Sequence, residues 1–409
     1  MSKKKLLLIG AGFEQITAIQ IAQELGYYVV ALDNNPEAQG AFFADEFYRV
    51  NVKNIDELIE LSKKIKPDGV FCHAAELAVP VAHVADALNL AGNGLLAAIN
   101  TTDKIKRIKI FHDGKIPSPE YRYMNKTDSF DIWKDFFNEL SQKVVCKPPH
   151  FAGARGVQYI DNILSLENYY KNSGGVDADE FLMEEFIDGE QYNTESLIVN
   201  GIAVDTTVAL RHYDETKYLR PYMIEDGYSA PYLISIDKHN QILTIINKCA
   251  NLFGIMNGVL KGDFVYDDKY SKIKVFELAS RTSGGRLCDR CHPLASGRNV
   301  LYPLIQMAMN DQVDLSYVEM KRNLGVSQRF FFPPAGKIIK SIKNLTYLSH
   351  HPNVNDIYFD RSLFKNNKTR EIQSHADRAG YVICTGKTRD EADQLALKIV
   401  HDIDYVFED

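Results

Sequence analysis

At 409 residues the chain is longer than a single hydrophobic core usually grows, so we expect two or three packed domains. Its 45% hydrophobic and 25% charged content excludes the collagen-like, disordered and disulfide-rich classes. A net charge of −7 disfavours nonspecific binding to nucleic acid or anionic membranes. Residues 6–9 form an apolar run too short for a signal peptide, and no stretch approaches the roughly 20 apolar residues of a membrane helix. We therefore expect a cytoplasmic protein that binds neither nucleic acid nor membranes.

The first third of the chain alternates β-like runs with segments of helical period. The apolar runs at residues 6–9, 28–32 and 69–72 are separated by segments in which apolar residues recur at helical spacing. Strands that alternate with helices predict a doubly wound parallel sheet. Prolines at positions 117 and 119 then end the helical pattern, which places a domain boundary near residue 115.

Beyond that boundary the pattern changes to antiparallel structure. The runs at residues 143–147 and 181–187 are rich in strand-forming residues, and Asn200-Gly201 is the strongest short signal for a hairpin turn. We expect a hairpin-rich middle region, followed by a C-terminal α+β segment that ends in a helix-period stretch at residues 390–403.

The first strand is followed by a glycine turn, Gly10-Ala11-Gly12, which resembles part of a dinucleotide-binding fingerprint. Asp33 ends the second strand, where a ribose-binding acid would lie. Gln15 replaces the third glycine of the fingerprint, which favours a structural tight turn. A nicotinamide-dependent oxidoreductase that uses Gly10, Gly12 and Asp33 stays open as an alternative.

A second motif, C-x-x-C-H, occurs at residues 288–292 and is typical of haem attachment. Haem attachment by this motif belongs to exported proteins, and we expect no export signal here. Chance spacing is therefore favoured over a haem or zinc site.

Two lysines and a glycine-containing loop form the next group of polar residues. Lys104 begins a helix-period segment and Lys147 ends a β-branched run; each ammonium is a compact point charge. The loop at residues 150–156 contains glycines whose backbone N–H groups can converge on an anion, and Arg155 can add a charge-assisted hydrogen bond. Solvated surface lysines and a plain surface loop are the alternatives.

Residues 262–278 predict a β-hairpin with two facing carboxylates. Asp263 and Glu277 are symmetric about Tyr270, and directly opposed residues have Cβ atoms about 5 Å apart. Carboxylates this close repel each other unless a cation lies between them, and Mg²⁺ bound to phosphates suits such a pair. Two exposed carboxylates on a solvated hairpin are the alternative.

These motifs, in this order, resemble those of the ATP-grasp superfamily over almost the whole chain. Residues 183–190 resemble its hinge, and residues 277–281 resemble its E-x-N-x-R signature, followed by the glycine pair of its ligase branches. Ala279 stands where the family usually has a metal-binding asparagine, which weakens the inference of a second metal ion. The resemblance implies an α/β and α+β fold with an N-terminal parallel-sheet domain (1–115), a small subdomain (116–190), a large metal-binding subdomain (191–325) and a C-terminal α+β extension (326–409).

The resemblance also implies an ADP-forming ligase of the amino-acid-ligase or carbamoyl-phosphate-synthase branch. Such an enzyme activates a small carboxylic acid, for example an amino acid, as an acyl phosphate and joins it to an amine. The implied cofactors are ATP and Mg²⁺, with Mn²⁺ as a substitute, and the homodimers common among relatives suggest a homodimer. A nucleotide-binding protein without turnover stays open, because of Ala279 and the glycine-poor loop.

The resemblance assigns roles to individual residues. Glu184 would accept from the adenine amino group, the Ile187 backbone would contact the ring, and Glu190 would hold the ribose. A structural salt bridge at Arg211 and a helix-capping role for Glu76 stay open. The implied sets are phosphate and nucleotide binding by Lys104, Lys147, Arg155, Glu184, Glu185, Ile187 and Glu190; metal binding by Asp263 and Glu277; catalysis by Arg281 and Lys147; and substrate binding by Glu76, Arg211, Gly284 and Gly285.

Overall fold

The computed structural model describes residues 3–140, 142–365 and 367–408. In its N-terminal region the strands pair in parallel in the order β3-β2-β1-β4, and the predicted parallel sheet is confirmed. The apolar run at residues 6–9 is fully buried, as expected for a strand covered on both faces. The elements are β1 (Lys5–Ile9), α1 (Ile16–Glu24), β2 (Tyr28–Asp33), β3 (Glu46–Arg49), α2 (Ile55–Ile65), β4 (Gly69–Phe71), α3 (Ala78–Leu88), α4 (Leu95–Thr102) and α5 (Lys104–Asp113).

The start of α5 is defined by its cap. The Asp103 carboxylate accepts hydrogen bonds from the backbone N–H groups of Ile105 and Lys106, at 2.9 and 3.1 Å. This cap places Lys104 in the first turn of the helix.

The next region is an antiparallel sheet in the order β5-β8-β6-β7. An aromatic cluster that includes the buried Trp133, Phe137, Tyr169 and Phe181 fills its core. The elements are β5 (Tyr121–Asn125), α6 (Phe130–Glu139), β6 (Val144–Lys147), β7 (Gln158–Ile160), α7 (Ile163–Asn172) and β8 (Glu180–Glu185).

A larger antiparallel sheet has the order β13-β12-β9-β10-β11-β14-β17-β16. Asn200 and Gly201 form the turn between β9 and β10, so the hairpin prediction is confirmed. Helix α8 packs its apolar side into the core beneath this sheet. The elements up to residue 308 are β9 (Gln191–Val199), β10 (Ile202–His212), β11 (Gly227–Ala230), α8 (Ile236–Phe253), β12 (Gly258–Asp267), β13 (Lys272–Ala279), α9 (His292–Ser296) and α10 (Leu301–Ala308).

The C-terminal residues continue the same sheet, because β14 pairs with β11 on one side and β17 on the other. The sheet is therefore continuous across residue 325. The elements are β14 (Gly325–Phe331), β15 (Ile339–Ile342), α11 (Leu345–Ser349), β16 (Val354–Phe359), β17 (Gly380–Gly386), α12 (Arg389–Asp402) and β18 (Tyr405–Phe407). Among the described helices, none has the length and apolar character needed to cross a membrane.

Candidate active site

A cavity of about 890 Å³ lies where the N-terminal region, the small sheet and the large sheet meet. This volume is in the range of small-molecule sites. Its wall also includes residues from the C-terminal region, such as Tyr358 and Arg378. The predicted site residues that line it are Glu76, Lys104, Lys147, Arg155, Glu184, Glu185, Ile187, Arg211, Asp263, Glu277, Arg281, Gly284 and Gly285.

The two predicted phosphate-binding lysines face this cavity from different elements. Lys104 donates from Nζ to the backbone oxygens of Pro149 and Phe151, and so holds the start of the glycine loop. Burial lowers the pKa of Lys104 to about 8. Lys147 is buried and lies 2.6 Å from Glu184 in an ion pair. The pair follows from the sheet register, in which the two side chains are diagonal neighbours on one face.

The four predicted hinge residues differ in their contacts, and three of them line the cavity. Glu184 already has Lys147 as its partner, and the Glu185 carboxylate lies 3.1 Å from Lys274 Nζ. Ile187 is buried at the cavity wall. Glu190 is not among the residues that line the cavity, and its carboxylate accepts hydrogen bonds from the hydroxyls of Tyr192 and Tyr232, each at 2.8 Å. The contact of Glu190 with the ribose stays a prediction.

The two predicted metal ligands lie directly opposite each other, because β12 and β13 pair Asp263 with Glu277. The two acids do not face each other because of the expected symmetry about Tyr270. Asp267 pairs with Lys272, which centres the turn half a residue earlier, and a bulge at Phe276 restores the pairing of the two acids. Such bulges re-aim side chains near active sites.

The facing carboxylates are surrounded by polar groups. Asn193 donates from Nδ2 to Asp263 at 2.8 Å, and Lys261 contacts the same carboxylate. Burial would raise the pKa of Glu277, but Lys261, Arg107, Arg281 and Lys104 hold it well below its usual value. Glu277 is therefore charged and able to bind a cation.

The donor set fits a magnesium ion. The described residues contain no group of three or more His, Cys, Asp or Glu side chains that could hold a metal ion, so the protein part of this site is the two carboxylates. Mg²⁺ is usually bound through one or two carboxylates and completes its octahedron with phosphate oxygens and water. Asp263 and Glu277 would supply the protein ligands.

Arg281 reaches the cavity from the segment that follows β13. Its guanidinium forms an ion pair with Glu76, and Nε donates to Glu76 Oε1 at 2.7 Å. Nearby, Gly285 has a φ of +64°, and its N–H donates to Glu14. The left-handed backbone there favours glycine.

A buried charge cluster closes another side of the cavity. Glu225 accepts from the Tyr228 hydroxyl and lies 3.1 Å from Arg211, 3.0 Å from Arg378 and 2.8 Å from His375. Burial would raise the pKa of Glu225, but its contacts with His375, Arg378 and Arg211 hold it well below its usual value. Arg211 also lies 3.2 Å from Asp263 and so connects this cluster to the metal ligands. The structural salt bridge left open for Arg211 is observed.

The sequence resembles parts of known proteins. Residues 329–408 match the family model of L-amino acid ligase C-terminal domain 2. The chain is 23% identical over 262 residues to a carbamoyl-phosphate synthase from Methanobrevibacter smithii. The aligned region covers 62% of this chain and 65% of that protein. The chain thus spans less than two thirds of that relative's length.

Solved structures resemble the entire chain. An L-amino acid ligase from Bacillus licheniformis superposes with a TM-score of 0.82 at 17% identity and 100% coverage of both chains. The chain has the ATP-grasp fold. The biotin carboxylase domain of the 2-oxoglutarate carboxylase from Hydrogenobacter thermophilus has a TM-score of 0.74 at 15% identity, covering 100% of this chain and 91% of its own. That structure is a dimer that contains MgADP and bicarbonate.

The glycine turn of this chain is used structurally. The Asp33 carboxylate accepts from the Ala11 N–H at 2.8 Å and from the Asn35 N–H at 2.8 Å, and so holds the turn closed. A carboxylate engaged in this way is poorly placed to bind a ribose. The fingerprint alternative has no support from the structure or from the comparisons.

The C-x-x-C-H motif is also accounted for by packing. Cys288, Cys291 and His292 are buried, and burial raises the pKa of both thiols. Burial lowers the pKa of His292 to about 3.

Several cavity residues were missed by the sequence analysis. Lys261 precedes Asp263 by two positions, so strand alternation alone placed it on the same face. His375 and Arg378 carry no local signal, because they reach the cavity only through the packing of the C-terminal region.

Proposed function

We propose that this protein is an ATP-dependent, ADP-forming ligase that joins a small carboxylic acid to an amine through an acyl phosphate. The observation that carries the proposal is the convergence of Lys104, Lys147, Asp263 and Glu277 on one cavity. Two ammonium groups and a pair of facing carboxylates suit a magnesium nucleotide. The similarity to L-amino acid ligases supports this substrate class.

In this proposal, Lys104 and Lys147 neutralise phosphate charge, and Arg155 contacts phosphate from the glycine loop. The adenine lies at the hinge near Glu184, Glu185 and Ile187. Asp263 and Glu277 hold Mg²⁺, which supplies charge neutralisation of the phosphates; Mn²⁺ would serve as a substitute.

The chemistry consists of two displacements. A carboxylate oxygen of the acid attacks the γ-phosphorus, and the bond to the β-phosphate oxygen breaks to release ADP. The amine nitrogen then attacks the acyl carbon, phosphate leaves, and the amine loses a proton to form the amide. Arg281 stabilises charge on the transferred phosphoryl group, and Glu76 orients Arg281.

The C-terminal region contributes to water exclusion in this proposal. The His375 backbone N–H donates to Gly153 in the glycine loop at 3.0 Å, and its ring faces Glu225. A loop held over the phosphates would limit hydrolysis of the acyl phosphate.

The test is a pairwise screen of amino acids and related acids for release of phosphate from ATP with Mg²⁺. The proposal expects phosphate and ADP in equal amounts, dependent on both an acid and an amine, together with an amide product identified by mass spectrometry. Tight ATP binding without ADP formation across a broad panel would instead support a binding protein without turnover.

A further inference from the structure

Lys261 is a buried cation at the centre of the site. Alternate residues of a strand share one face, so Lys261 and Asp263 both project from β12 into the cavity. On β13 the directly opposed residues are Ala279 and Glu277, respectively. The four positions form two adjacent cross-strand pairs.

The ammonium of Lys261 bridges the two acids of this arrangement. Its side chain is 10% exposed, and Nζ contacts Asp263 and lies 3.9 Å from Glu277 Oε1. Glu195, the neighbour of Lys261 on β9, instead accepts from the Ser283 N–H at 3.0 Å. The charge of Lys261 is therefore directed at the predicted metal ligands.

Ala279 is the cross-strand partner of this lysine. In the E-x-N-x-R signature this position is an asparagine that binds metal, whereas the methyl group of Ala279 offers no ligand. The loss of a metal ligand and the presence of a fixed cation thus occur at one cross-strand pair.

We propose that Lys261 replaces one of two metal ions in this site, so that a single Mg²⁺ acts together with a permanent ammonium group. The inference rests on the proposed function, because both concern the same nucleotide phosphates. A lysine supplies a point charge next to the phosphoryl group without having to be bound from solution. It also compensates the facing carboxylates before any nucleotide enters.

The test counts ions. The full-length protein is dialysed against Mn²⁺ and β,γ-imido-ATP, and bound Mn²⁺ and bound nucleotide are measured by electron paramagnetic resonance and absorbance. One Mn²⁺ per bound nucleotide is expected for the wild type and for Lys261→Arg. Two are expected for the double variant Lys261→Met/Ala279→Asn, which exchanges the cation for the missing ligand.

Two ions per nucleotide in the wild type would overturn this inference and leave the proposed function intact, whereas no Mn²⁺-dependent nucleotide binding would overturn both. A double variant that binds nucleotide with one ion would also contradict the exchange. A wild-type count of two overturns the inference even if the double variant fails to fold. As a kinetic readout, Lys261→Met is expected to lower kcat about 100-fold.

Discussion

Arg281 and Glu76 form an ion pair inside the cavity, although 205 positions separate them in the chain. The family resemblance assigned them separate roles, catalysis for Arg281 and substrate binding for Glu76. The structure makes each the partner of the other. It thereby connects the parallel-sheet region to the segment that follows the metal-ligand hairpin.

Glu76→Gln should therefore impair catalysis more than nucleotide binding. Glutamine keeps the shape but loses the charge that orients the guanidinium, and misplacement of such a group costs on the order of 100-fold. We expect kcat to fall about 10-fold to 100-fold while the KM for ATP stays within about 2-fold. Glu37→Gln, on an exposed loop of the same region, is the matched control. Equal kcat values for the two variants would contradict a positioning role.

Glu277→Gln should abolish Mg²⁺-dependent phosphate release. The change removes the charge of one facing carboxylate, and loss of one preorganised electrostatic group typically costs about 100-fold or more in rate. Asp268→Asn changes an exposed acid at the tip of the same hairpin and should leave the rate unchanged. Normal turnover by the Glu277 variant would remove the metal assignment.

Nucleotide binding should weaken as the pH rises above about 8. Burial lowers the pKa of Lys104 to about 8, so the free protein loses this positive charge above that value. Bound phosphate favours the charged form and raises the pKa, so binding near pH 8 should take up a proton. Calorimetry in buffers of different ionisation enthalpy measures this uptake.

Lys104→Arg provides the control for that experiment, because the guanidinium stays protonated over the whole range. The variant should bind nucleotide with less dependence on pH between 7 and 9 and with no proton uptake from this position. The same pH profile in both proteins would assign the titration to another group.

Arg329→Met should destabilise the protein. Arg329 is buried, donates to Asp393 from Nε and Nη2 at 2.9 and 2.7 Å, and contacts Asp226. Removal of one partner from such a network leaves buried charges uncompensated and costs about 3–5 kcal/mol. Denaturant unfolding should show this loss, while the exposed Arg322→Met changes stability by less than about 0.5 kcal/mol. Equal midpoints would show that the network adds little.

The local elements, and the residue types that form the site, could be predicted from the chain's own pattern. Strand alternation, the Asn200-Gly201 turn and the apolar runs of the first third depend on near neighbours, so they could be interpreted without coordinates. The facing positions of Asp263 and Glu277 were also predicted correctly, although a bulge in β13 rather than simple symmetry about the turn produces them.

The pairing of the charges could not be predicted in this way. Arg281 meets Glu76, and His375 and Arg378 meet Glu225, because distant segments pack around one cavity. Glu190 does not line the cavity, and its carboxylate accepts from Tyr192, two positions along the chain, and from Tyr232, which long-range packing brings near. Ion pairing depends on which side chains come within a few ångströms of each other, and that is set by long-range packing rather than by local pattern.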